Sequence, residues 1–218
     1  MKNKLVRAAV SGVLFLLLIV LVKKVDVAAV GPAGTSIGLS HLNNAVHGLI
    51  GVHMLWYKIT NLLGYVSLAA GAAFACLGVK QLAERRSLAK VDRQILALGA
   101  LFVVIGVIYV LFEKAIVNYR PVIMAGETAP EASFPSSHTV LACVIFGSIA
   151  MMLKDYIKDK NLASALQNAC LVLLLIAVLG RLISGVHWFT DILGGIFLSA
   201  ALLLAFSGVL DKVRQGEK

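Results

Sequence analysis

Charge is scarce in this chain. Only 14% of its 218 residues are Asp, Glu, Lys or Arg, against 60% hydrophobic, which is too apolar for an ordinary soluble domain. Acidic residues are the scarcer sign, 11 against 20 Lys and Arg, for a net charge of +9. Cysteine is nearly absent. Cys76, Cys143 and Cys170 all fall inside apolar runs, with no close pair among them. This argues against a disulfide framework or a thiolate metal site and for buried inert thiols. No internal repeat, low-complexity segment or separate soluble region is present. His41, His47 and His53 recur every six residues, a spacing that walks around a helix and does not stack metal ligands on one face.

What the chain does have is long apolar runs. Six are long enough, or nearly so, to cross a bilayer: Leu5–Val22, Ile59–Val79, Ile95–Phe112, Ser137–Leu153, Leu166–Ile183 and Phe189–Leu210. Runs of this length read as helices, because only helices and closed barrels satisfy the backbone in lipid. The expected fold is therefore all-α and polytopic, with six transmembrane helices in one membrane-embedded domain over residues 1–218. Fourteen of the 20 basic residues lie in the N-terminal tail, the second and fourth connections and the C-terminal tail. Positive-inside bias puts those segments, and both termini, in the cytoplasm of a cell-membrane protein. Anionic inner-leaflet lipid accounts for the basic balance. No compact basic face is evident for nucleic acid, and no obligatory protein partner is expected. The first run could be misread as a secretion signal, but Lys23 and Lys24 directly follow it, which suits a retained anchor better.

The remaining connections fall on the outer side. In the first, Leu42, Val46, Leu49, Ile50, His53 and Trp56 share one helical face, while Asn43, Asn44 and His47 lie elsewhere. Ser40 is a suitable N-cap. This predicts an amphipathic helix between spans 1 and 2, lying in the interface with Trp56 and Tyr57 at headgroup depth. It serves either as a cover over the bundle or as one wall of a lipid entrance. The second outer connection holds Lys114, Arg120-Pro121 and then Pro135-Ser136-Ser137-His138. Pro135 halts regular structure, and the free N–H groups of the helix start behind it suit an anion. The third holds Arg181, His187 and Asp191. His and Asp at i and i+4 share a helix face, so the carboxylate can orient the imidazole. An Arg fork suits phosphate oxygens. Taken singly, each residue has a plainer reading: a helix cap for His138 or Asp191, headgroup snorkelling for Arg181, an interface anchor for Trp188. Taken jointly they outline phosphoryl transfer through histidine.

These segments together resemble the type 2 phosphatidic acid phosphatase superfamily, whose signature is Lys-x6-Arg-Pro, Pro-Ser-Gly-His and Ser-Arg-x5-His-x3-Asp. The third block is present as Arg181-x5-His187-x3-Asp191, with Gly180 replacing the leading Ser. The second carries Ser137 where Gly is usual, which keeps the backbone donor. In the first, five residues rather than six separate Lys114 from Arg120, so Glu113 occupies the family's lysine register. One residue turns a helix by about 100°. The signature region spans residues 114–191.

The resemblance implies a membrane lipid phosphatase that uses neither cofactor nor metal. It makes His187 the nucleophile, with Asp191 fixing its tautomer and His138 as acid and then base. Lys114, Arg120, Arg181, Ser136 and Ser137 hold the phosphate oxygens. The substrate presents a phosphate at the extracytoplasmic face while its tail stays in the bilayer. Undecaprenyl pyrophosphate, needed for cell-wall synthesis, phosphatidylglycerol phosphate, phosphatidic acid and diacylglycerol pyrophosphate all fit. The alternatives are a lipid phosphotransferase of the same fold and a catalytically silent lipid-binding scaffold. A transporter ranks last, because no repeat or polar broken mid-membrane helix is evident.

Overall fold

A computed structural model describes residues 2–216. Lys218, one of the basic C-terminal residues, lies outside them. The described residues form seven α-helices: α1 (Lys2–Lys24), α2 (Ser40–Ile50), α3 (Met54–Arg85), α4 (Arg93–Lys114), α5 (Ser137–Tyr156), α6 (Lys160–Ile183) and α7 (Phe189–Gly216). All except α2 are long and apolar enough to cross a membrane, as the six runs predict. The helices outreach those runs by up to six residues at an end, because polar and charged residues extend the backbone hydrogen bonding beyond the apolar stretch. With 32 residues, α3 is about 48 Å long, well beyond a hydrocarbon core of about 30 Å.

Lipid gives apolar helices no hydrophobic reason to associate, so packing and small residues decide the arrangement. The bundle is built around α5, which contacts α3, α4, α6 and α7. Of the residues in its span 72% are buried, against 11% to 39% for the other five. Ser67 of α3, Ser148 of α5 and Ser199 of α7 are all buried, and Ser67 and Ser148 bond carbonyls of their own helices. Small side chains of this kind let the backbones close up. On the other flank α1 packs along α7, burying Phe15, Leu18 and Val22. Contacts between α3 and α4 are few, and the space between them matters below.

One end of the bundle is tied by ion pairs: Lys4–Asp211 at 2.7 Å, Arg85–Asp92 at 2.8 Å and Arg214–Asp155 at 2.5 Å. Asp92 also accepts hydrogen bonds from Gln81 and Tyr156. With these partners its carboxyl lies below the usual range although burial pushes the other way.

The amphipathic segment differs from expectation in three respects. It is not one helix through Trp56: α2 stops at Ile50, Gly51 has φ +72°, and His53 and Trp56 belong to the start of α3. Its N-cap is Leu39 and not Ser40. The cap's work falls to Asp26, whose carboxylate accepts from Ser40 Oγ at 2.9 Å and from the His41 backbone at 2.8 Å. And its inner side is partly polar. Asn43 is fully buried, while Leu42 and Leu49 are exposed. A helix facing lipid on its outer side has no reason to hide its leucines, and its asparagine finds partners only within the protein. The three histidines also go separate ways: His41 to Asp26, His47 to the Gly185 carbonyl and His53 to the Ile50 carbonyl.

Candidate active site

The site forms at the end of the bundle opposite the ion pairs, where α4 and α6 end and α5 and α7 begin. Ser136 caps α5, its hydroxyl accepting from the Thr139 N–H at 3.4 Å and from the Thr139 hydroxyl at 3.0 Å. The Ser136 N–H donates to the Asp191 carbonyl at 3.0 Å, which joins the starts of α5 and α7. Between α4 and α5 the chain folds back on itself. The Ser133 N–H donates to the Asn118 carbonyl at 3.0 Å and the Arg120 N–H to the Glu131 carbonyl at 2.9 Å. This short antiparallel pairing brings Asn118, Arg120 and Ser133 together. The Trp188 indole N–H then donates to the Tyr119 carbonyl at 2.7 Å, so Trp188 is a buried clasp between two loops and not an interface anchor.

His187 sits on the five-residue connection from α6 to α7 and is 3% exposed. Its Nδ1 lies 3.5 Å from Asp191 Oδ2, near enough for the carboxylate to orient the ring. The same Oδ2 accepts the Trp188 N–H at 3.0 Å. Asn118 and Ser133 also lie against Asp191, which is wholly buried. Burial, with the guanidinium charges of Arg181 and Arg120 nearby, holds the His187 imidazole well below its usual range. A lowered basicity favours the neutral ring, which keeps one nitrogen lone pair free.

Arg181 is fully buried. It donates to Thr60 Oγ1 at 3.2 Å, Asn61 Oδ1 at 3.0 Å and His138 Nδ1 at 3.0 Å, and its guanidinium lies 5.0 Å above the Tyr57 ring. A guanidinium only donates, so His138 accepts at Nδ1 and carries its proton on Nε2. Arg120 approaches Glu131 instead, Nε to Oε2 at 3.0 Å.

A cavity of about 930 Å³ connects these groups. His138, His187, Arg120, Ser137, Glu113 and Glu131 line its polar end, and α3 and α4 supply the apolar walls below. His187, His138, Arg120 and Ser137 are thus brought to one space, with Asp191 and Arg181 directly behind the two histidines. Ser136 is engaged as a cap. Lys114 is exposed at the last turn of α4 and is not among the cavity's lining residues, whereas Glu113 is.

Sequence reasoning missed Thr60 and Asn61, and found no role for Asn118. Adjacent polar residues inside an apolar span were the available signal for the first two. Gly180 gains a structural explanation. A Cβ there would stand 2.8 Å from Trp56 and 2.9 Å from the Thr60 methyl, so the family's serine has no room. Gly180→Ser is expected to destabilise the protein by about 1–3 kcal/mol through overpacking. Thermal unfolding in detergent measures this, and an unchanged midpoint would show that Trp56 and Thr60 yield freely.

The PAP2 superfamily model matches residues 95–215, more than half of the chain, and the protein belongs to that superfamily. The fold is similar to the crystal structure of a transmembrane PAP2-type phosphatidylglycerolphosphate phosphatase from Bacillus subtilis. The TM-score is 0.65 at 18% identity, covering 94% of this chain and 96% of that one. No curated protein matches the sequence. The chain is thus a multi-pass membrane protein with a PAP2 fold.

Proposed function

We propose that this protein is a lipid phosphatase that hydrolyses a phosphomonoester or pyrophosphate headgroup through a phosphohistidine. The observation that carries this reading is one cavity with two histidines, an arginine and a helix start at its polar end and an apolar cleft beneath. Phosphate fits the first and a hydrocarbon tail the second.

His187 Nδ1 faces Asp191, which leaves Nε2 to attack phosphorus. With an anionic phosphate bound, His138 takes up a second proton as Arg181 turns its donor from Nδ1 to a phosphate oxygen. As the new N–P bond forms, the bond to the leaving oxygen breaks, and the His138 imidazolium gives that oxygen its Nε2 proton and returns to the neutral ring. Water then attacks the phosphohistidine, with His138 Nε2 now accepting its proton, and His187 is released. Arg120 and the N–H groups at the start of α5 hold the nonbridging oxygens, where preorganised donors act on developing charge. Arg181 adds positive field from behind His138. No metal enters this scheme. The substrate reaches the site from the extracytoplasmic leaflet, a reading that the positive-inside bias of the basic loops at the opposite end supports. Phosphatidylglycerol phosphate, phosphatidic acid, diacylglycerol pyrophosphate and undecaprenyl pyrophosphate are the lipids to test.

The position of Lys114 outside the cavity lining favours the second reading, a silent lipid-binding scaffold. Purified protein in detergent with excess chelator, assayed for phosphate release from those four lipids, decides between them. Release by wild type and none by His187→Ala supports the phosphatase. No release from any lipid by well-folded protein supports the scaffold, and activity that needs added metal refutes the metal-free chemistry.

A further inference from the structure

The apolar part of the catalytic cavity ends at one side chain. Phe102 of α4 packs on Gly71 of α3, where a Cβ would come within 3.1 Å of its ring. On one side of Phe102 lies the cavity that reaches His187 and His138. On the other lies a second, smaller cavity of about 360 Å³, walled by Gly78, Leu82, Ile95 and Gly99. Phe102 and Ala75 line both. The two spaces are therefore successive compartments of one cleft between α3 and α4, divided by the Phe102 ring.

Depth gives this division a meaning. Glu113 lines the polar end of the upper cavity. Eleven helical residues separate it from Phe102, about 16 Å at 1.5 Å per residue. That is about half the hydrocarbon thickness of a bilayer, one leaflet deep. We propose that Phe102 sets the length of lipid tail that the catalytic cavity accommodates, by closing it off from the second compartment. The occupant is the hydrocarbon tail of the phosphorylated substrate, because the cavity is continuous with the histidines at its top and lined by carbon below. The inference rests on the phosphatase reading above. Tails up to one leaflet in length gain contacts as they grow. Longer ones find the ring of Phe102 across their path and gain nothing more.

The experiment is phosphate release from a series of single-chain alkyl phosphates, octyl, dodecyl, hexadecyl and docosyl, in detergent. Wild type, Phe102→Ala and Phe102→Leu are compared by ratios of kcat/KM within each protein. For wild type the value should rise from octyl to dodecyl, whose extended chain about matches the depth above, and then level off. For Phe102→Ala the rise should continue, lifting the docosyl-to-dodecyl ratio on the order of fivefold, the sum of many small contacts in the opened compartment. Phe102→Leu should fall between, and keeps the test alive if the alanine variant does not fold. Identical chain-length profiles in wild type and an active variant would overturn the role of Phe102. No release from any alkyl phosphate by wild type would overturn the phosphatase reading and the inference with it.

Discussion

Asp191→Asn is expected to leave a folded protein whose turnover of lipid phosphate is lower by about four orders of magnitude. The reason lies in which protons the site can place. Asp191 Oδ2 accepts the Trp188 N–H and faces His187 Nδ1. A carboxylate only accepts, so it draws the imidazole proton to Nδ1 and leaves a lone pair on Nε2 toward the cavity. In asparagine that one position holds either an NH2 or a carbonyl oxygen. An NH2 there gives up the Trp188 bond and turns a donor toward the ring, so Nδ1 must accept, the proton moves to Nε2 and the attacking lone pair is gone. A carbonyl there keeps the Trp188 bond but, being neutral, no longer supports the positive charge His187 gains on attack. Shape hardly changes, so stability should hold. Phosphate release alongside thermal unfolding measures both, and trapping of labelled phosphohistidine tests the step itself. Wild-type turnover in a correctly folded Asp191→Asn protein would dismiss the assigned role.

The second large effect concerns folding. Gly185 lies two residues before His187 with φ +66°, in the region that favours glycine. A Cβ there would stand 1.9 Å from the Gly51 carbonyl oxygen, and that oxygen belongs to backbone that cannot swing aside. The surrounding bonds leave little slack: His47 meets the Gly185 carbonyl at 3.0 Å, and the His53 N–H meets the Ser184 carbonyl at 3.1 Å. Gly185→Ala therefore adds backbone strain to a steric clash, and the expected loss exceeds about 4 kcal/mol. In practice little monodisperse protein should survive size-exclusion chromatography. Normal yield with a normal melting temperature would show that the α2–α3 junction does not grip this loop.

The six spans were legible because lipid imposes a length and a composition on anything that crosses it. The family membership was legible because its residues keep fixed spacings. What escaped the sequence depends on what lies outside a helix. For α2 the periodicity was visible, but periodicity does not say which side is wet. A leucine stripe means the interior in a water-soluble protein and the exterior beside lipid, so Asn43 and His47 appeared peripheral although they hold the loop that carries His187. Asn118 and Ser133 were opaque for another reason. They reach Asp191 through a pairing between residues 118–120 and 131–133, a fold-back with no signature of its own. Arg181 was recognised, yet its bonds to Thr60 and Asn61 come from a span far away in sequence.

The central position of α5 has a consequence for biogenesis. Its run was the shortest of the six, because a helix shielded from lipid by its neighbours need not be strongly apolar. Partitioning alone therefore holds it less firmly than the other spans during synthesis. Its lodging in the bilayer depends on helices made before and after it, α3 on one side and α6 and α7 on the other. The histidine at its head meets the other residues of the cavity only when that assembly is complete, so a partly inserted chain lacks the assembled site.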